Sequence, residues 1–209
     1  MDVVLPVVLG FVLAITGIML PGLLNITAAK ISLREGRQNA VIFALGATSV
    51  IFVQTYIAVS FAKFINSRPD IIRLLQEMGL AVFGLLTLYF LFIAKKPKLK
   101  KEKTEVSRKS RGGKFFLGAL LSALNFFPIP YYVFMSVTLS TNGYFYFTPL
   151  FIFLFVMGAV LGSFLAFYLY IISFKRFEHK AEFFMKNINY FLGSITGLVS
   201  IITLIKILR

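Results

Sequence analysis

The chain has 209 residues, 58% of them hydrophobic, with a mean hydropathy of +0.86. That is more apolar side chain than a water-soluble domain of this length can bury in one core, so the bilayer is its expected solvent. The net charge of +14 raises nucleic acid as a partner, while the absence of cysteine excludes disulfide frameworks, thiolate metal sites and dithiol relays, and the single histidine excludes multi-histidine metal sites.

No charge occurs between Asp2 and Lys30, and the first span is expected from Val3 to Ala29. It lacks a basic leading region and exceeds a typical signal core, so it reads as a retained helix. The second span runs from Asn39 to Ala62 and the third from Ile71 to Ala94. The uncharged stretch from Phe115 to Phe174 is too long for one helix. Ser140, Thr141, Asn142 and Gly143 form a turn cluster that divides it into spans at Phe115–Leu139 and Thr148–Phe174. A sixth span is expected from Asn187 to Ile207. The fold class is therefore an all-α, polytopic membrane protein with six transmembrane helices. One domain, 1–209, would comprise repeat one (1–94), a basic cytoplasmic loop (95–114) and repeat two (115–209).

Charge sets the orientation. Of 22 Lys and Arg, 17 follow the first, third and fifth spans, from Lys30 to Arg37, Lys95 to Lys114 and Lys175 to Lys186. The excess of basic residues beside cytoplasmic ends puts both termini outside. The stretch "KKPKLKKEKTEVSRKSRGGK" has no aromatic platform among its charges, so it suits anionic lipid and not nucleic acid.

Within the spans, "PGLLN" at Pro21 to Asn25 and "NFFPIPYY" at Asn125 to Tyr132 stand out. A proline has no N–H, so Pro21 should free the carbonyl of Gly17, and Pro128 and Pro130 those of Leu124 and Phe126. Freed carbonyls at membrane depth persist only beside protein, polar side chains or water, which directs both breaks to the interior or a cavity. Gly10 precedes the first break and Gly118 the second at similar distances, and each break opens a group of three spans. An odd number of spans per group inverts the second copy, giving two inverted three-helix repeats with a site between them. Pro21, Gly22, Asn25, Gln54, Asn125, Pro128, Pro130 and Tyr131 are the candidate substrate-binding residues. The pairs Gly158/Gly162 and Gly193/Gly197 suit close helix packing, within the protomer or in a homo-oligomer. Tyr144, Tyr146 and their neighbouring phenylalanines read as an interfacial belt. Glu77, with Arg73 one turn earlier, is the one acid near a span interior and reads as an ion pair at the membrane surface.

A Pro-Gly break ending the first span, "SLREG" after it, an Asn/Pro cluster after "GGKFFLGALLSAL", and the closing "NYFLGSITGLVSIITL" together resemble the LysE/RhtB family of amino-acid exporters. The likeness covers nearly the whole chain. The resemblance implies a multi-pass protein of the bacterial inner (plasma) membrane that expels amino acids or related small solutes, usually in exchange for protons. The chain departs from the family at both breaks. Leu23 stands where a second proline is common, and two phenylalanines separate Asn125 from Pro128.

The leading expectation is export of a small zwitterionic solute by alternating access. Backbone N–H groups at a half-helix start suit its carboxylate, and freed carbonyls its ammonium. The alternative is a non-transporting scaffold or accessory subunit whose basic loop binds lipid or a partner. An enzyme is not expected, because the spans hold no His, Cys or paired-carboxylate constellation, and no cofactor or metal is expected either.

Overall fold

The computed structural model of the chain describes residues 3–19, 22–68, 77, 80, 81, 83–94 and 110–208, with the backbone alone for 174–186, 188, 191, 192, 195, 199 and 206. The described residues form helices without strands. Helix α1 covers Val4–Ile18 and ends with the Met19 N–H donating to the Ile15 carbonyl at 2.8 Å. Extended backbone at Gly22 (φ −123°, ψ 176°) then starts α2, Leu23–Glu35. The two axes differ by 79°, so the expected single helix from Val3 to Ala29 is two. The expected basic loop also shrinks. Lys30 and Arg34 ride on α2, and Gly36 alone separates it from α3, Arg37–Asn66. At φ +90° the Gly36 backbone adopts a turn that a side chain would strain.

Helix α4 is Phe83–Ile93, its last five residues wound as a π-helix. Most of the third expected span before it, including Arg73, lies outside the described residues, as do 95–109 of the basic loop. Ser110 caps α5, Arg111–Leu124, by accepting the Gly113 N–H at 3.3 Å. Arg111 and Lys114, expected in the loop, are thus on a helix. Helix α6 is Pro128–Thr141, inclined by 60° to α5. Pro128 is its first residue, where a helix needs no N–H, so these prolines start a helix and do not kink one. At its end, Tyr144 N–H donates to the Leu139 carbonyl at 2.9 Å and Gly143 N–H to that of Ser140 at 3.0 Å, with Gly143 at φ +79°. This paired closure is a glycine-terminated helix stop, as the turn cluster predicts. Helix α7, Pro149–Lys186, continues through the expected basic loop after the fifth span, and α8 is Ile188–Leu208.

By length and composition, α3 and the Pro149–Ser173 part of α7 can each cross a membrane, and each bent pair, α1–α2 and α5–α6, can supply one more span. The described residues thus provide up to four of the six expected spans.

The chain divides into two compact units. The first comprises 1–64 and 104–177. Its interior mixes small and large residues: Ala28, Ala29, Ala40, Ala44 and Ala47 are buried beside Phe43, Phe155 and Phe167, while Leu45, Val53, Ile57, Phe116, Leu161 and Leu169 face outward. Small residues where helices touch, with apolar side chains turned outward, are the arrangement of helices packed in lipid. Glycines set the closest crossings. A Cβ on Gly46 of α3 would overlap the Phe115 carbonyl oxygen of α5, and one on Gly118 of α5 would overlap the Phe43 carbonyl oxygen of α3. Helices α1 and α7 meet in the same way, Gly10 against the Phe155 carbonyl and Gly158 against that of Val7. Gly162 also packs on α1, at Phe11 and Ala14, so the Gly158/Gly162 pair serves packing inside the chain. Phe145 is buried against Phe151 and Phe155, whereas Tyr144 and Tyr146 are exposed. Of the expected aromatic belt, the tyrosines alternate outward and this phenylalanine belongs to the core.

The second unit comprises 65–103 and 178–209. Here α8 packs on α4, Gly193 against Leu91 and Gly197 against Thr87. The Thr87 hydroxyl donates to that of Thr196 at 2.9 Å, and Asn189 Nδ2 to the Ala94 carbonyl at 3.0 Å. Glu77 is exposed, and its expected partner Arg73 lies outside the described residues.

Candidate functional site

Stopping α1 at Ile18 leaves its last carbonyls without the N–H groups of a following turn. Asn25, buried in the first turn of α2, reaches back and donates from Nδ2 to the Ile18 carbonyl at 2.6 Å. Tyr170 of α7 donates its hydroxyl to the Met19 carbonyl at 2.7 Å. Side-chain donors therefore serve Ile18 and Met19, one and two residues beyond the Gly17 carbonyl expected from proline chemistry. Pro21 lies outside the described residues, and Gly22 forms the extended link into α2.

At the second break, Gln54 of α3 is 5% exposed and donates from Nε2 to the carbonyls of Ser122, at 3.1 Å, and Asn125, at 3.0 Å. The Phe126 carbonyl, expected to be free, accepts the Ile129 N–H at 3.3 Å. Asn125 Oδ1 accepts the Phe127 N–H at 3.4 Å, an Asx turn across the gap. One side chain from a long helix thus reaches each break: Tyr170 from α7 to the first, Gln54 from α3 to the second.

Tyr131, in the first turn of α6, joins the two places. Its hydroxyl donates to the Leu13 carbonyl at 2.8 Å and lies 3.2 Å from the Thr16 hydroxyl, and its ring fills the space that a side chain on Gly17 would take. Beside it, Tyr132 is buried with its hydroxyl near those of Thr55 and Ser163. Of the expected site residues, Gln54 and Asn125 touch at the second break, Pro128 and Pro130 open α6, and Tyr131 connects that helix to the end of α1. Asn25 belongs to the first break, beside Tyr170.

Reading the sequence missed three features. Tyr170 and Thr16 sit in apolar runs, where the signal was simple: a hydroxyl in a span needs an acceptor. The third is an ion pair. Lys114, 0% exposed in α5, places Nζ 2.6 Å from Glu35 Oε1 at the end of α2. Asn39 Nδ2 donates to the Glu35 carbonyl at 2.8 Å, and Arg111 to Gln38 Oε1 at 3.4 Å, around the same corner. Among the described residues no cluster of His, Cys, Asp and Glu could hold a metal ion.

Apolar helices that cross at glycines and turn large apolar side chains outward, two of them broken and stitched by polar side chains, define a helical membrane protein. The chain belongs to the LysE type translocator family, whose model matches residues 15–206. Members of this family are transporters. No curated protein and no solved structure matches the chain.

Proposed function

We propose that the protein exports amino acids or related small zwitterionic solutes from the cytoplasm by alternating access, with the solute held at the two breaks. The observation that carries this is Tyr131: its bond to the Leu13 carbonyl brings the start of one half-helix beside the end of another, where polar backbone gathers inside apolar helices. Asn25, Gln54, Asn125 and Tyr131 supply hydrogen bonds there, Gly22, Pro128 and Pro130 shape the backbone, and Pro21 completes the proposed set.

The inverted repeat is part of the same reading. Exchanging α1 with α5, α2 with α6 and α3 with α7 turns the Gly10–Gly158 crossing into the Gly118–Gly46 crossing. The partners keep their spacing, "FALGA" at 43–47 corresponding to "FVMGA" at 155–159. The exchange also relates the two hydrophobic clusters, one joining α1, α6 and the first half of α7, the other α5, α2 and the first half of α3. In this reading the two repeats rock to expose the solute on alternate sides.

Efflux from proteoliposomes is the test. Preloaded radiolabelled amino acids should leave at least tenfold faster with protein than without, and equal leakage across a broad solute panel would reject export. Orientation in the bacterial inner membrane, with both termini outside and the 95–114 segment against cytoplasmic anionic lipid, is tested separately. The chain has no native cysteine, so single-cysteine variants label cleanly. A membrane-impermeant maleimide should label Asn142→Cys in intact cells and Ser107→Cys only after the membrane is opened; the opposite pattern would reverse the topology.

A further inference from the structure

We propose that the second break is the ammonium end of the solute site, with Gln54 Oε1 and Ser122 Oγ as its acceptors. The inference rests on the exporter reading and deepens it, because the sequence left either break able to take either end of a zwitterion.

Backbone chemistry removes one possibility. A carboxylate needs free N–H groups at a helix start, and α6 opens with Pro128, Ile129 and Pro130. The two prolines have none. The N–H of Ile129 donates to the Phe126 carbonyl, that of Tyr131 to the Phe127 carbonyl, and that of Phe127 to Asn125 Oδ1. From Phe127 to Tyr131, each backbone donor is either committed or missing, so this half-helix cannot cradle an anion as other helix starts do.

Acceptors are in excess at the same place. The Gln54 amide faces the carbonyls of Ser122 and Asn125, so the atom it presents to them must be its nitrogen. Its Oε1 is then directed elsewhere, buried and without a donor among the described residues, and the Ser122 hydroxyl, on a residue 0% exposed, has no partner among them either. An amide oxygen can only accept, and a buried acceptor left unpaired is unfavourable. An ammonium brings three donors and a positive charge, which the C-terminal end of α5 at Leu124 also favours.

Ser122→Ala is the sharp test, because it deletes an acceptor that bonds to nothing among the described residues. Transport is measured in proteoliposomes with a radiolabelled mixture of the standard amino acids, with the same mixture N-acetylated, and with and without sodium. The wild type should export the free amino acids and reject the acetylated ones. Ser122→Ala should melt at or above the wild-type temperature yet raise KM about tenfold, the worth of one charge-assisted hydrogen bond. An unchanged KM together with equal export of acetylated solutes would overturn the proposal and leave the exporter reading standing. A variant altered only in its sodium requirement would assign these acceptors to a metal ion and overturn it too. A wild type that exports no amino acid would remove the exporter reading itself.

Discussion

Gly118→Val is expected to prevent stable folding, and Gly46→Val to do the same. A Cβ on Gly118 would overlap the Phe43 carbonyl oxygen and come within 3.1 Å of the Ala47 nitrogen; one on Gly46 would overlap the Phe115 carbonyl oxygen and come within 3.1 Å of the Ala119 nitrogen. These obstacles are main chain, which cannot rotate aside as a side-chain tip can. The helices must therefore separate, losing the close contacts that hold them in lipid, where no hydrophobic effect drives one apolar helix onto another. Ordinary overpacking costs about 1–3 kcal/mol, and a rigid obstacle belongs at or beyond the upper end of that range. Thermal unfolding in detergent should show a large fall in Tm or no folded protein at all. Gly84→Ala is the control, because nothing among the described residues lies within 4 Å of its added methyl, and it should fold at least as well as the wild type. A Gly118→Val protein with unchanged Tm would mean that α3 and α5 do not cross there.

Lys114→Met carries the second large effect. The Lys114 ammonium is 0% exposed and Glu35 is 14% exposed, so little water screens their 2.6 Å contact. Deleting the cation strands a mostly buried carboxylate, a change that costs about 3–5 kcal/mol when one partner of a buried pair is removed. Replacing both partners removes both desolvation costs, so Lys114→Met with Glu35→Gln should recover most of the stability. The double-mutant cycle in detergent melts reads this directly. A single Lys114→Met variant as stable as the wild type would show the pair to be dispensable. The pair also holds the end of α2 against the start of α5, 79 positions apart in the chain, and so helps to fix the corner beneath both broken helices.

Much of this architecture is legible in the residues. Uncharged runs, two proline-bearing interruptions and a glycine turn at 143 are local signals. Among the described residues helices, two breaks and a stop appear within a few residues of the places they mark, though the first run holds two helices and most of the third span before Phe83 lies outside those residues. The errors are also local in origin. Lys114 ends a run of cations and so read as loop, yet the Ser110 cap begins the helix at Arg111 and turns Lys114 toward Glu35. The segments around Lys30 and beyond Phe174 read as loops because they are charged, but a helix can carry charge past the end of its apolar stretch. Glu77 drew attention as an acid near a span, whereas the carboxylate that pairs with the buried Lys114 is Glu35, at a helix end that charge counting assigned to a loop.

Composition and spacing alone determined the solvent of this chain, the helical class and the positions where its helices must break, because each depends on residues close in sequence. Which side chain answers each break was decided by the tertiary structure. Tyr170 is 151 residues from the carbonyl it meets, Gln54 is 68 and 71 from its two, and Tyr131 is 118 from Leu13. A hydrogen bond acts over about 3 Å, so its existence depends on the approach of helices whose separation is set by glycines on other faces, and no pattern along the chain encodes that distance.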